Sequence, residues 1–471
     1  MLERALVFVR DIELFESLQR KYLAPSGVQA EFSGTAESAL GKLASMKVPT
    51  LILDCRPEYC DAETLLLMQR VVTQLPAVNL VCVGDGTYPL PLAEYLDLLS
   101  LEYIQLNERN ELALSEEGLS RVLSANRARP IPMRRRIEAE GITFSTYSPD
   151  LFPVMDDLMR VAHRNVTLLL VGETGTGKTT LARFIHNCSD RRDKPFQHLA
   201  CGALPGDLIE SELFGHTRGA FTGAERHKIG RFQAAGQGTL LLDEIDVLDL
   251  KQQSKLLKVI ETGEYELVGS TESRQAEARL IVASNVNLED LAEEGRFRTD
   301  LYYRLNVLEF RLPALRDRPL DITPLALDII EDCCRTHDIE VDRIQVDFLQ
   351  ALKRYRWPGN LRELKNHLRR AVLFCENGIL TVNDIAPKVL QAQFTDPGND
   401  DVACSRRSWT LADRVALNER DLLEQALKEN GQNRTRTAKA LGLSRVGLYK
   451  KLRRLGLMTD SKPTCLPSKM E

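Results

Sequence analysis

Residues 172–179 read Gly-Glu-Thr-Gly-Thr-Gly-Lys-Thr and satisfy G-x-x-x-x-G-K-[ST] at every fixed position. No other stretch constrains the fold so tightly, because this motif works only between a buried strand and the start of a helix. Its flanks supply both. Val166 to Val171 is an apolar, partly β-branched run, and Thr180 to His186 carries helical apolar spacing. Gly172, Gly175 and Gly177 let successive N–H groups converge on one anion, and the helix N-terminus adds its partial positive charge. Lys178 adds a full charge, and Thr179 has the hydroxyl that such loops use to hold Mg2+. The whole loop, including Glu173, Thr174 and Thr176, is expected to bind ATP.

Hydrolysis needs a way to activate water, and the chain supplies carboxylates downstream. Gly238-Thr-Leu-Leu-Leu-Asp-Glu244 is a short apolar strand ending in two acids. Asp243 is placed to reach Mg2+ and Glu244 to polarise the attacking water. A third apolar run, Ala278 to Ser284, ends at Asn285. Asn285 is suited to touch the γ-phosphate or the water, although a helix N-cap fits the spacing nearly as well.

Residues 211–224 read Ser-Glu-Leu-Phe-Gly-His-Thr-Arg-Gly-Ala-Phe-Thr-Gly-Ala. Around them stand Cys201-Gly-Ala-Leu-Pro205, Gly295-Arg-Phe-Arg-Thr-Asp-Leu-Tyr-Tyr-Arg-Leu-Asn306 and Trp357-Pro-Gly-Asn-Leu-Arg-Glu-Leu364. Together these closely resemble the central AAA+ domain of bacterial sigma-54-dependent activators, over roughly 145–390 and on into the C-terminus. The unbroken GAFTGA at 219–224 is the element most specific to that family. The resemblance implies that Gly219, Ala220, Phe221, Thr222, Gly223 and Ala224 form the loop that engages sigma-54, with Phe221 and Thr222 at its tip. It also makes Arg298 and Arg304 arginine fingers that reach the γ-phosphate of a neighbouring subunit. Guanidinium suits that task because it stays charged and offers forked donors. Arg362, in the first turn of the helix after Pro358-Gly359, becomes the lid's nucleotide-sensing cation, with Asn360 expected as that helix's cap.

At 471 residues the chain should divide into about three domains. The expected architecture is α/β multidomain: a receiver-like doubly wound sheet over 1–125, a linker at 126–144, and an AAA+ P-loop α/β core at 145–311. A helical lid at 312–390, a linker at 391–408, an all-α helix-turn-helix at 409–457 and a tail at 458–471 complete it. Net charge is −5, so contact with nucleic acid must come from a local basic patch. No run of about 18 apolar residues appears, and the ten cysteines lack metal-binding spacing. A cytoplasmic protein with reduced thiols and no membrane contact is expected.

Short apolar runs at Ala5–Val9, Thr50–Leu53, Asn79–Val83 and Tyr103–Leu106 alternate with helical segments, the pattern of a parallel sheet. The layout is similar to a response-regulator receiver, whose phosphoacceptor would map to Asp54. The match departs at several positions. Arg10-Asp11 stands where two acids are expected, Gly84 replaces a Ser or Thr, and Leu106-Asn107 replaces Lys-Pro. Phosphorylation of Asp54 is therefore not expected, and Arg10 is the cation expected to neutralise Asp54 or Asp11. Arg134-Arg135-Arg136 reads as a solvated linker.

Trp409 to Leu457 reads as three helices, Ala416–Glu429, Thr435–Leu441 and Ser444–Leu455, with a turn at Gly442-Leu443. Ser444 is an N-cap, and Arg445, Lys450, Lys451, Arg453 and Arg454 charge the last helix. The unit resembles the Fis-type helix-turn-helix that closes the family. That resemblance implies contact with double-stranded DNA at upstream sites through these residues and Tyr449. The expected function is a sigma-54-dependent activator that hydrolyses ATP in a homo-oligomer, dimer to hexameric ring, and remodels sigma-54 RNA polymerase for open-complex formation. The competing expectation is a DNA-binding regulator or repressor whose ATP site is mainly a switch.

Overall fold

A computed structural model describes residues 3–107, except 26, 47–49 and 76–77, together with residues 134–391. Within them no helix is long and apolar enough to cross a membrane. The described residues belong to one compact unit.

The N-terminal sheet has strands β1 (Glu3–Phe8), β2 (Val28–Ser33), β3 (Thr50–Asp54), β4 (Asn79–Gly84) and β6 (Ser100–Gln105), with β5 (Thr87–Pro89) outside it. Its order, β2-β1-β3-β4-β6, is all parallel, so β1, β3 and β4 lie inside it. The residues of β3 and β4 are buried without alternation, as strands covered on both faces must be. Helix starts are fixed by short polar side chains. Asp11 caps Ile12–Leu18, Thr35 caps Ala36–Ala44, and Asp61 caps Ala62–Gln74.

Residues 135–144, expected within a linker, instead belong to a hairpin of β7 (Arg135–Ala139) and β8 (Ile142–Thr146). Of the three arginines there, Arg134 is drawn in, while Arg135 and Arg136 stay more exposed. Arg134 pairs with Glu94 and Asp328, Arg135 with Asp156, and Arg136 with Glu138. The second sheet contains β9 (Leu168–Val171), β10 (Phe196–Ala200), β13 (Thr239–Asp243), β16 (Arg279–Ser284) and β17 (Glu309–Arg311), in parallel order β10-β13-β16-β9-β17. Leu240, Leu241, Leu242, Ile281, Val282 and Ala283 are fully buried, and this drives the central strands inward. Arg279, the first residue of β16, is buried and donates to the carbonyls of Val161, Ala162 and Val166, closing the end of helix Leu151–Ala162. Burial pulls its guanidinium down to about 10.

The lid is not purely helical. Helices Ile322–His337, Val346–Arg354 and Asn360–Leu373 are accompanied by two parallel strands, β18 (Arg343–Gln345) between the first two and β19 (Ile379–Leu380) after the third. β18 also pairs antiparallel with β5 of the N-terminal domain. One apolar core consequently runs through both, from Leu92, Ala93 and Leu96 to Ile322, Ala326, Ile330 and Ile344. Trp357, fully buried, donates Nε1–H to the Leu352 carbonyl at 2.7 Å and closes the lid.

Candidate nucleotide site

The phosphate loop follows β9, and the helix Lys178–Asn187 begins at its end. Gly175 and Gly177 have φ of 83° and 107°, the left-handed region that favours glycine. A side chain at Gly175 would also lie 2.3 Å from the Gly359 carbonyl, so the loop tip sits hard against the lid.

β9, β16 and β13 are neighbours, so their C-terminal ends deliver Lys178, Asn285 and the Asp243-Glu244 pair to one place. Lys178 is buried and donates to the Gly172 carbonyl at 2.6 Å, the Glu173 carbonyl at 3.1 Å and Asn285 Oδ1 at 2.7 Å. Burial lowers its pKa against the pull of Asp243, Asp246 and Glu244. Asn285 in turn donates Nδ2–H to Glu244 Oε1 at 3.3 Å. It is not a helix cap; that role falls to Asn287. Glu244 itself has φ 58°, a strained setting for a non-glycine residue, and Gly202 leaves its carboxylate room.

Thr179 donates its hydroxyl to Asp243 Oδ2 at 3.0 Å. Burial would raise the Asp243 pKa, but His198, Thr179 and Lys178 outweigh it and hold it low. A hydroxyl and an ionised carboxylate this close are the hard oxygen donors that Mg2+ accepts.

The lid closes over the loop. Asn360 has φ 50° and is the first residue of its helix rather than its cap, a position that Gly359 holds. Its side chain accepts from Leu315 N–H at 2.7 Å and donates to Glu173 Oε2 at 3.1 Å and the Thr174 carbonyl at 3.0 Å. Arg316 forks onto Glu173 at 2.6 and 2.9 Å. Arg362 lies beside Gly175, facing the loop. Gly202, His198, Arg316 and Asn360 were the residues that sequence reasoning missed in these roles. Only the Trp-Pro-Gly-Asn turn signalled one of them, and it pointed to a cap.

Arg298 and Arg304 bind carboxylates of their own chain. Arg298 forks onto Asp300 and donates to Ser254 Oγ, while Arg304 donates to Glu261 at 3.3 Å. Tyr303 beside them is 70% exposed, so only Tyr302 serves packing.

The loop 219–224 lies outside any helix. It joins two short antiparallel strands, β11 (Gly215–His216) and β12 (Lys228–Ile229). Gly219 and Gly223 turn the chain at φ 82° and 101°. Phe221 stays 38% exposed and sets its ring edge-on to His216, 5.0 Å between centroids. Ala220 packs on Gly269 of the hairpin made by β14 (Glu264–Glu266) and β15 (Ser273–Gln275).

At the end of β3, Asp54 is buried and bound by Arg56 rather than Arg10. Arg56 also reaches Asp11 at 3.3 Å, whereas Arg10 pairs with Asp61 and the Gly34 carbonyl. The residues expected to touch DNA, Ser444, Arg445, Tyr449, Lys450, Lys451, Arg453 and Arg454, lie outside the described residues.

Comparison with known proteins places three family models on the chain. The sigma-54 interaction domain matches 144–311, the AAA+ ATPase lid domain 316–401, and the bacterial regulatory protein, Fis family, 415–455. The regulatory protein AtoC of Escherichia coli is 38% identical over 92% of this chain and 94% of its own length. The regulatory protein LuxO of Vibrio cholerae is 30% identical over 94% of this chain and 97% of its own. The Nif-specific regulatory protein of Azotobacter vinelandii is 40% identical over 63% of this chain, which spans 56% of that protein. The crystal structure of NtrX from Brucella abortus in complex with ATP superposes with a TM-score of 0.50 at 24% identity, over 97% of this chain and 100% of that one, and shares the fold.

Proposed function

We infer the working cycle from one premise: this chain belongs to the bacterial sigma-54-dependent transcriptional activators, as an AAA+ ATPase with a Fis-type DNA-binding module. Lys178 and the N–H groups of the loop bind the β- and γ-phosphates of ATP, and Arg362 faces them from the lid. Thr179 and Asp243 would hold Mg2+, which would supply charge neutralisation on the phosphates. Glu244 takes the proton of the attacking water, and Asn285 orients it while sensing the γ-phosphate through Lys178.

The working unit is a ring. What supports this reading is exposed apolar side chains at two places along the ATPase. Val247, Leu250 and Val286 lie close in sequence to Glu244 and Asn285, while Tyr303 and Val307 flank Arg304. A head-to-tail contact covers one place with the other and brings a neighbour's Arg298 and Arg304 towards the γ-phosphate. Hydrolysis then moves the 219–224 loop, and Phe221 leaves His216 to engage sigma-54. The C-terminal module meanwhile holds upstream double-stranded DNA. ATPase rate per protomer measured against protein concentration tests the ring: it should rise steeply, and a flat profile would reject it.

A further inference from the structure

The N-terminal domain and the ATPase lid share a three-stranded ladder, β19-β18-β5. Thr87, Tyr88 and Pro89 of β5 face Gln345, Ile344 and Arg343 of β18. Leu90 N–H donates to the Asp342 carbonyl at 2.8 Å and Val346 N–H to the Gly86 carbonyl at 3.0 Å, extending the ladder at both ends. Tyr88 and Ile344 are buried in it. Next to the ladder, helix Leu90–Leu99 places the Asp97 side chain, 2% exposed, against the lid. Asp97 Oδ2 accepts from Thr323 Oγ1 at 2.6 Å and from Lys353 Nζ at 2.5 Å. A buried carboxylate with two lid donors fixes the register of the interface, since losing Lys353 would strand a buried charge.

From the same helix a polar relay reaches the phosphate loop. Glu94 Oε1 accepts from Tyr147 Oη at 2.6 Å, and Arg134 bridges Glu94 to Asp328 on the lid. Tyr147 N–H donates to Asp321 Oδ1 at 2.6 Å, and Thr146 Oγ1 to Asp321 Oδ2 at 2.7 Å. Arg318 lies 3.9 Å from that carboxylate and donates Nη2–H to the Thr176 carbonyl at 3.4 Å. Arg318 and Asp321 are fully enclosed, so neither can move without its partner. Thr176 stands between Gly175 and Gly177, where the loop's N–H groups are aimed. Arg318 is thus a positioning residue for the loop. Thr323, the partner of Asp97, is two residues from Asp321, so both routes converge on the first turn of helix Ile322–His337.

We propose that docking of the N-terminal domain on the lid and nucleotide binding at the phosphate loop are thermodynamically coupled through this relay, with no chemical change at Asp54. The docked domain preorganises the loop, and undocking weakens ATP binding. Any signal that competes for β5 or for helix Leu90–Leu99 changes the nucleotide affinity of the ATPase. Linkage makes the effect reciprocal, so bound nucleotide tightens the docking by the same factor. The inference rests on the reading of 172–179 as the ATP site.

The test uses the full chain in a Glu244→Gln background, with a fluorescent N-methylanthraniloyl ATP as probe and amide hydrogen exchange to follow docking. Asp97→Arg places like charge against Lys353 and should speed exchange at 87–89 and 343–345. The same variant should bind the probe at least about five-fold more weakly, the low end of coupling between linked sites. Faster exchange with unchanged affinity overturns the proposal. If Asp97→Arg does not fold, the parent chain decides: the probe should slow exchange at 343–345, and unchanged exchange overturns the coupling. A parent chain that fails to bind the probe at all would sink the ATP-site reading, and this inference with it.

Discussion

Asn285 Oδ1 accepts a hydrogen bond from Lys178 Nζ at 2.7 Å, tying the end of β16 to the phosphate loop. The same amide donates to Glu244, so one side chain touches both Lys178, proposed to bind phosphate, and Glu244, proposed to activate water. On that proposal a γ-phosphate would compete for Lys178 and thereby alter how Glu244 is held, and binding and bond-breaking should be separable by mutation.

Lys178→Ala should abolish ATP binding, whereas Glu244→Gln should bind ATP and lose hydrolysis by about 10²–10⁴-fold, the scale of general-base catalysis. Equilibrium binding and steady-state turnover on both variants check this. Wild-type turnover in Glu244→Gln would remove Glu244 from the mechanism.

Arg304→Ala should leave ATP binding intact and lower turnover by up to about 10³–10⁵-fold, the range known for arginine fingers. The Arg304–Glu261 pair is exposed, so the fold should not suffer. Mixing Arg304→Ala with Lys178→Ala should recover activity, because one supplies a binding site and the other a finger. A mixture no more active than its parts would show that Arg304 does not act between subunits.

Phe221→Ala should keep most ATPase activity and lose open-complex formation at a sigma-54 promoter. Its ring touches His216 at the loop base, so little of the fold depends on it. Unchanged activation in a purified transcription assay would exclude the loop from the contact.

The clasp between phosphate loop and lid should respond to acid. Arg316 and then Asn360 hold the Glu173 carboxyl below its ordinary range. A depressed folded pKa gives stability that is complete above the unfolded value and lost as pH falls through the folded one. Glu173→Gln should therefore flatten the acid limb of a Tm-versus-pH curve. Solvent screening at this exposed pair limits the effect to about 1 kcal/mol. An unaltered acid limb would show that the pair contributes nothing.

The sequence made the nucleotide site legible where its parts are contiguous. Strand, glycine turn and Lys178 lie within a dozen residues, and Asp243-Glu244 ends a strand that needs no partner to be recognised. What stayed hidden depends on long-range meetings. β5, β18 and β19 are two or three residues long, too short to show a period, and exist because the N-terminal domain and lid complete each other's edge. Asn360 looked like a helix cap because Asn favours caps. It also tolerates the left-handed region, and here that geometry turns its amide towards Glu173. Arg56 carries no signal in the receiver pattern, whose departure at Arg10 points to the residue before Asp11. The nearer cation, two positions past Asp54, was the one that a turn at the strand end folds back.

Arg56 donates Nε–H to both oxygens of Asp54, at 3.1 and 3.2 Å, and Nη2–H to Oδ2 at 2.8 Å, while its backbone N–H binds Oδ1 at 3.1 Å. Its guanidinium also lies 4.5 Å over the Tyr59 ring. Burial alone would lower the Arg56 pKa, but Asp54 and Asp11 outweigh it and raise it, so the cation remains charged at every working pH. Asp54 thus has its acceptor oxygens occupied, and Asp11 shares the same guanidinium, which leaves Mg2+ no free pair of carboxylates. Incubation with acetyl phosphate and Mg2+ should leave the intact mass unchanged, and Asp54→Asn should alter ATPase activity little. Arg56→Ala should expose two neighbouring carboxylates and create measurable Mg2+ binding in the N-terminal domain, a gain that the same substitution at Arg10 would not produce. Stoichiometric phosphate on Asp54 of the unmodified sequence, coupled to a rise in ATPase rate, would overturn this account of the pocket.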